Sequence, residues 1–169
     1  VLSFHFGLPS AELLARVRAW GSKIFSSATT VDEARWLEAQ RVDAIIAQGL
    51  EAGGHRGIFL SDDLSTQVGT FALLPQIARE VKLPVIAAGG IADAKGVAAA
   101  MALGAAGVQI GTAYMLCREA TTSVVHRAAL VGRLQQDAEH VVAEPLVVEH
   151  HRGRIGDDQV DAEGFRATL

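Results

Sequence analysis

The sequence predicts an α/β fold in which parallel strands alternate with helices. Three observations carry that reading. Short β-rich runs and longer helical periods follow one another at a spacing of about 20 residues, the pattern of βα units. Runs such as Ile45-Ile46-Ala47 and Val85-Ile86-Ala87-Ala88 are apolar without alternation, as in strands covered on both faces. Glycine-rich segments fall at the C-terminal ends of three predicted strands, the edge where parallel α/β folds bind ligands.

Element by element, Val1–Phe6 reads as a strand and Gly7-Leu8-Pro9 as a turn. A helix spans Ser10–Trp20 on the spacing of Leu13, Leu14 and Val17, with Pro9 just inside its start and Gly21 at its end. Ile24–Ala28 is the second strand. Thr30-Val31-Asp32-Glu33 has the form of a capping box, opening a helix to about Gln40. Asp43–Gln48 is the third strand. Residues 49–69, rich in Gly, Asp and Ser, form a long loop, which in a compact domain usually carries function. Helical spacing returns at Phe71 and runs to Val81. Pro84–Ala88 is the fourth strand, and Asp93 is the N-cap of an alanine-rich helix to Leu103. Gly107–Ile110 is the fifth strand, and a last helix spans Ala120–Gln136. On pattern alone the five units fit either an open doubly wound sheet or most of a (β/α)8 barrel.

The 169 residues set a single domain with room for a sizeable core. Half the residues are apolar, a fifth are charged, and the mean hydropathy is +0.26, a globular composition. A net charge of −4 argues against a nucleic-acid partner held by bulk charge. Cys117 is the single cysteine, which fits a reducing compartment, and no apolar run reaches the length of a membrane span. A cytoplasmic, membrane-free protein is the expectation. Beginning at Val1 inside a strand, the sequence reads as a fragment, with a tail at residues 138–169 that shows no clear period.

The candidate chemistry gathers on the strand ends. Gln48 through His55, Gly89-Gly90-Ile91 and Gly111-Thr112 place glycines where backbone N–H groups can approach a phosphate. The helix behind Asp93 adds its N-terminal dipole, and the Thr112 hydroxyl can donate to a phosphate oxygen. His55, within Gly53-Gly54-His55-Arg56-Gly57, suits proton transfer at neutral pH. Arg56 can attract an anion, and Gln48 can offer an acceptor and donors to a heteroaromatic ring. Tight βα turns and a backbone-bonded loop histidine are the alternatives. Cys117 and His126 read as packing or surface residues. His140, His150 and His151 match no zinc spacing. Gly-x-Gly-x-x-Gly is absent, so the Rossmann signature is lacking.

Ser3-Phe4-His5-Phe6-Gly7, Ala47-Gln48-Gly49 through Gly57, Pro84 through Asp93, and Gly107 through Tyr114 together resemble the nitronate monooxygenase family, formerly called 2-nitropropane dioxygenases. The likeness covers about residues 1–130 and fades from about Val131, as an altered reading frame near the end would make it. It implies a partial TIM (β/α)8 barrel over residues 1–137, holding the last five βα units, the C-terminal part of the barrel. It also implies FMN as cofactor, with Gln48 and Gly53 near the flavin. Gly89, Gly90, Gln109, Ile110, Gly111 and Thr112 then surround the ring edge and phosphate. His55 falls on the family's catalytic histidine, acting on a nitroalkane or nitronate that oxygen converts to a carbonyl compound and nitrite. A flavin-dependent enoyl-acyl-carrier-protein reductase is the enzymatic rival. A non-catalytic fragment that binds FMN phosphate and self-associates through open sheet edges is the third reading.

Overall fold

The computed structural model describes residues 1–137; the tail expected at 138–169 lies outside the described residues. Val1–Thr122 form one compact unit, and a second begins at Ser123 with helix α5, Val124–Asp137. In the first unit five strands make one sheet: β1 (Leu2–Phe4), β2 (Ile24–Ala28), β3 (Ala44–Gln48), β4 (Val85–Ala88) and β5 (Gly107–Gln109). Helices α1 (Ala11–Ala19), α2 (Val31–Ala39), α3 (Thr70–Glu80) and α4 (Ala94–Ala102) lie between them.

All four strand pairings are parallel, and their order is β1-β2-β3-β4-β5. Each strand lies beside the next, and the order never turns back. A doubly wound sheet needs such a reversal, whereas an arc of a (β/α)8 barrel does not. Strand order therefore decides what periodicity left open. Right-handed crossovers carry successive helices to one face of the sheet. There α2 and α3 pack on β2, β3 and β4.

The core follows from that layering. Ile24, Leu37, Ile45, Ile46, Leu73, Leu74 and Ile77 are fully buried, and Ala44 to Ala47 of β3 are buried on both faces. The outer strands differ. No residue of β1 or β5 is fully buried, and neither strand has a second neighbour among the described residues. At the opposite edge from the candidate site, Asp43 receives the Ile24 N–H at 2.9 Å and pairs with Lys23 at 2.6 Å. The hydrogen bond from Lys23, with that from the Ile24 backbone, holds the Asp43 carboxyl below its ordinary range.

Helix starts follow the capping chemistry with two departures. Ser10 caps α1 by accepting from Leu13 N–H, which places Pro9 before the cap rather than inside the helix. Thr30 caps α2 by accepting from Glu33 N–H at 3.2 Å. Glu33 does not return the bond to Thr30 as a capping box requires. Its carboxylate turns instead to Thr29 and to the Phe59 and Leu60 N–H groups of the long loop. The last helix begins at Val124, later than the Ala120 expected, after a 3-10 turn at Thr112–Leu116.

Thr70, 1% exposed, wedges the start of α3 between the ends of β3 and β4. Its hydroxyl lies 3.3 Å from the Ala88 carbonyl oxygen. A Cβ on Gly49 would run into the Oγ1 and backbone N of Thr70, so this close approach requires glycine. Gly49→Ala is therefore expected to cost about 3 kcal/mol of stability in urea unfolding. Gly54→Ala, whose Cβ would meet nothing within 4 Å, should stay within about 0.5 kcal/mol of the parent.

Candidate active site

Parallel register brings the polar strand ends into line. Gln48 pairs with Ala88, and Ala88 pairs with Gln109, so one row crosses β3, β4 and β5 at their C-terminal edge. Above it runs the segment 49–69, whose only regular structure is a 3-10 turn at Leu64–Thr66. Side chains from the strand ends meet many of its backbone groups.

Gln48 and His5 fix the part that carries His55. The Gln48 amide donates to the His55 carbonyl at 2.9 Å and accepts from Gly57 N–H at 2.7 Å. His5, one residue beyond β1, reaches the same carbonyl through Nε2 at 2.9 Å, and its Nδ1 lies 2.9 Å from Ser27 Oγ. A carbonyl only accepts, so Nε2 carries the proton, and Nδ1 of the neutral ring accepts from the Ser27 hydroxyl. Gly57 is the closest floor of this clamp, where a Cβ would stand 2.9 Å from the His5 ring. Phe6 holds a φ of +63°, costly for a non-glycine residue. Its ring stands edge-on to those of His5 and His55, with centroids 4.7 and 6.0 Å away. The His55 backbone is thus pinned while its side chain is exposed, with no protein hydrogen bond to the ring among the described residues.

Glu33 holds the next part of the segment. Fully buried, it accepts at Oε1 from Phe59 N–H at 2.6 Å and Leu60 N–H at 3.2 Å. Its Oε2 accepts from Thr29 N–H at 2.7 Å and the Thr29 hydroxyl at 2.8 Å. Arg56 donates to Gln67 Oε1 at 3.0 Å, rather than standing free, and leaves Gln67 Nε2 buried without a protein partner.

Glu51 closes the segment onto α3. It accepts at Oε2 from Thr70 N–H at 2.8 Å and from the Thr70 hydroxyl at 2.9 Å. Gly69, at the N-cap position before α3, has no side chain to cap the helix, so Glu51 supplies a negative charge to that helix end. Desolvation opposes ionisation of Glu51, but its own backbone N–H and the two Thr70 donors outweigh it, and the carboxyl sits below its ordinary 4.5. Gly90, at φ +66°, packs on the Glu51 stem, 3.0 Å from where its Cβ would be. Gly89, at φ +117°, packs 2.7 Å from Thr70 Oγ1 and 2.9 Å from Ala52 N by the same measure, which gives it a packing role. Asp93 caps α4 through Gly96 N–H at 2.8 Å, so that helix end already faces a carboxylate.

The end of β5 joins this floor through Gly53, whose Cβ would lie 2.7 Å from Thr112 Oγ1. Gln109 is exposed and Ile110 half-buried. Gly111 opens the turn at Thr112–Leu116 without a side-chain cap, and nothing lies within 4 Å of a Cβ built on it. Two groups result: Gln48, His5, His55 and Gly57 over β1 and β3, and Gly53, Glu51, Gly90 and Thr112 over β3 to β5. The segment 49–57 links them. Among the described residues no three His, Cys, Asp or Glu side chains gather as a metal site.

The sequence pattern of the nitronate monooxygenase family matches residues 1–153. The chain belongs to that family. The match runs past Val131, where the likeness was expected to fade. A nitronate monooxygenase of Paraburkholderia phytofirmans is 52% identical over 132 residues, which are 78% of this chain and 36% of that protein. Among solved structures, nitroalkane oxidase from Streptomyces ansochromogenes superposes with a TM-score of 0.70 at 44% identity, over 75% of this chain and 37% of that one. FabK from Thermotoga maritima superposes with a TM-score of 0.64 at 37% identity, over 76% and 39% of the two chains. These neighbours are TIM barrels, in keeping with the strand order. The chain spans well under half the length of the curated relatives it matches, 36% and 37% for two of them.

The family is flavin-dependent, and the strand-end floor suits the phosphate end of such a group. Gly111 is open where a Cβ would otherwise intrude, the turn behind it lacks a side-chain cap, and the Thr112 hydroxyl stands exposed beside Gly53. Of the expected site residues, Gln48 spends both polar atoms on the loop, yet keeps one N–H and one lone pair free for a ligand. Sequence reasoning passed over His5, Glu33, Glu51 and Thr70 as site residues. His5 and Glu51 lie within the segments that carry the family resemblance; the expected strand Val1–Phe6 hid His5, since β1 ends at Phe4 and leaves His5 just beyond it.

Because the folded-state pKa of Glu51 is depressed, the stability it contributes is present above about pH 4.5 and is lost as pH falls through the folded value. Glu51→Gln should therefore be less stable than the parent at pH 7 by about 1 kcal/mol, the size of a lost helix cap. Urea midpoints of the two proteins should converge below pH 4.5.

Proposed function

We propose that the chain binds FMN across the C-terminal ends of β3, β4 and β5 and oxidises nitronates and nitroalkanes to a carbonyl compound and nitrite with oxygen. The observation that carries this reading is His55. Its carbonyl is clamped by Gln48 and His5, while its imidazole is exposed and uncommitted at the strand-end edge. Family membership and the neighbouring nitroalkane oxidase structure support the same reaction class.

In this reading Gly90, Ile110, Gly111 and Thr112 hold the phosphate, by backbone N–H groups and the Thr112 hydroxyl. Gln48, Gly53 and Gln109 lie along the ring, with Gly89 packed behind Gly90. Bound FMN supplies the electron-accepting chemistry that oxygen completes. The chain's own work is on protons and placement. The His55 imidazole takes the α-proton of a neutral nitroalkane, leaving the nitronate anion beside the resulting imidazolium. A substrate supplied as nitronate needs no such transfer. The clamp on the His55 carbonyl holds the ring's origin still, so little orientational entropy is lost at the reaction.

Oxygen and the nitro compound are the partners, and the proposal includes a cytoplasmic setting. Among the described residues no helix is long and apolar enough to cross a membrane. Open edges at β1 and β5, with Leu2, Leu13 and Trp20 exposed beside β1, favour self-association as part of the same reading.

The FabK likeness makes an enoyl-thioester reductase the competing assignment. Purified chain reconstituted with FMN should release nitrite from a propyl nitronate without NAD(P)H. His55→Asn should lower turnover of neutral nitroalkane by about 10²-fold or more and turnover of nitronate much less. NAD(P)H consumption with an enoyl thioester would overturn the assignment, and equal turnover of neutral nitroalkane with and without His55 would remove His55 from the mechanism. A chain that takes up FMN without turnover would establish the binding-fragment reading instead.

A further inference from the structure

We propose that Glu33 is a positioning residue that seats the His55-bearing segment on the sheet through the Phe59 and Leu60 amides. The inference rests on the proposed role of His55 only for its consequence in catalysis.

Glu33 is the buried carboxylate that neither the flavin floor nor the proton transfer uses. It belongs to the first turn of α2, yet Oε1 reaches 26 residues along the chain to Phe59 and 27 to Leu60. The other oxygen is held by the N–H and hydroxyl of Thr29, at the exit of β2. Every one of these four partners is a donor. A carboxylate can satisfy them all at once, and an amide cannot: in one orientation its NH2 faces the Phe59 and Leu60 N–H groups, and in the other it faces Thr29 N–H while the Thr29 hydroxyl turns to accept. The charge therefore does what shape alone could not. It draws two loop amides and one strand-end amide to a single point.

That point lies two and three residues beyond the Gln48 and His5 clamp, which ends at Gly57. Segment 55–60 is thereby held at both ends. The first anchor grips the backbone on either side of Arg56 and leaves the His55 and Arg56 side chains exposed. The second anchor also presses Phe59 against Trp36 of α2, with ring centroids 5.2 Å apart in an edge contact. Release at Glu33 would leave the segment held from one side, and Trp36 would lose its neighbour.

Trp36 gives the readout. The chain has two tryptophans, and Trp20 is 67% exposed, so Trp20→Phe leaves Trp36 as sole reporter with little disturbance. In that background, Glu33→Met, which removes both acceptors at nearly constant length where a glutamine could turn its oxygen to the loop, should redden Trp36 emission and raise its acrylamide quenching several-fold, while far-UV circular dichroism stays native. Thr29→Val removes a hydroxyl donor to Oε2 and leaves the Phe59 and Leu60 bonds in place. It should lower the urea midpoint without moving the native-state emission. Unchanged emission in folded Glu33→Met, or an equal change in Thr29→Val, would overturn the proposal. Should Glu33→Met fail to fold, Glu33→Asp gives the same decision. Its shorter stem keeps the charge at Thr29 but withdraws from the loop, so a red shift supports the latch and an unshifted spectrum sinks it. None of these readings depends on turnover. A silent His55→Asn together with a shifted Glu33→Met would thus remove the catalytic role and leave the latch standing.

Discussion

The long connection between β3 and α3 has almost no secondary structure with which to pair its own backbone, and the rest of the site depends on how that demand is met. Buried N–H and C=O groups need partners, and in this segment many come from side chains. Gln48 takes Gly57 and His55, Glu33 takes Phe59 and Leu60, and Glu51 takes Thr70 where α3 begins. Two of the three holders are carboxylates, which accept several N–H bonds at once and bind them more strongly than a neutral acceptor would. The loop is long, but it is anchored at each of these points along its length.

The glycines fall into two kinds that the sequence does not distinguish. Gly49, Gly57 and Gly89 are where backbones and side chains crowd, against Thr70, the His5 ring and Ala52. Gly54 and Gly111 face open space. All sit in glycine-rich strand ends and all could pass for a phosphate cradle. Only the second kind leaves room for a ligand, and only Gly111 lies at a strand end with an exposed hydroxyl beside it. The candidate phosphate floor is accordingly smaller than the glycine count implied and centres on the end of β5; Gly90, whose Cβ position is taken by the Glu51 stem, has only its backbone N–H to offer.

What was legible followed the range of the physics involved. Strands β2 and β3, the helix caps at Thr30 and Asp93, and the parallel βα plan come from local spacing and local hydrogen bonds, so they appear in the sequence. Strand order depends on contacts between units, and the doubly wound alternative therefore survived until the pairings were seen. Glu33 shows the same limit in one residue. Three places after Thr30 it looks like half of a capping box, but its partners at Phe59 and Leu60 are set by tertiary packing. Glu51 and Thr70 were hidden for the same reason. His55 was found through its glycine setting and family likeness; its fixed backbone and free ring could not have been.

The account centres on a loop ordered by side-chain acceptors, and native-state amide exchange of the unmodified chain tests it residue by residue. Gly57, Phe59, Leu60 and Thr70, whose N–H groups have side-chain acceptors, should exchange far more slowly than Gly54, which has no such partner in the structure. Their protection should approach that of β3. Uniformly fast exchange across residues 53–60, at the rate of an unstructured peptide, would contradict the account.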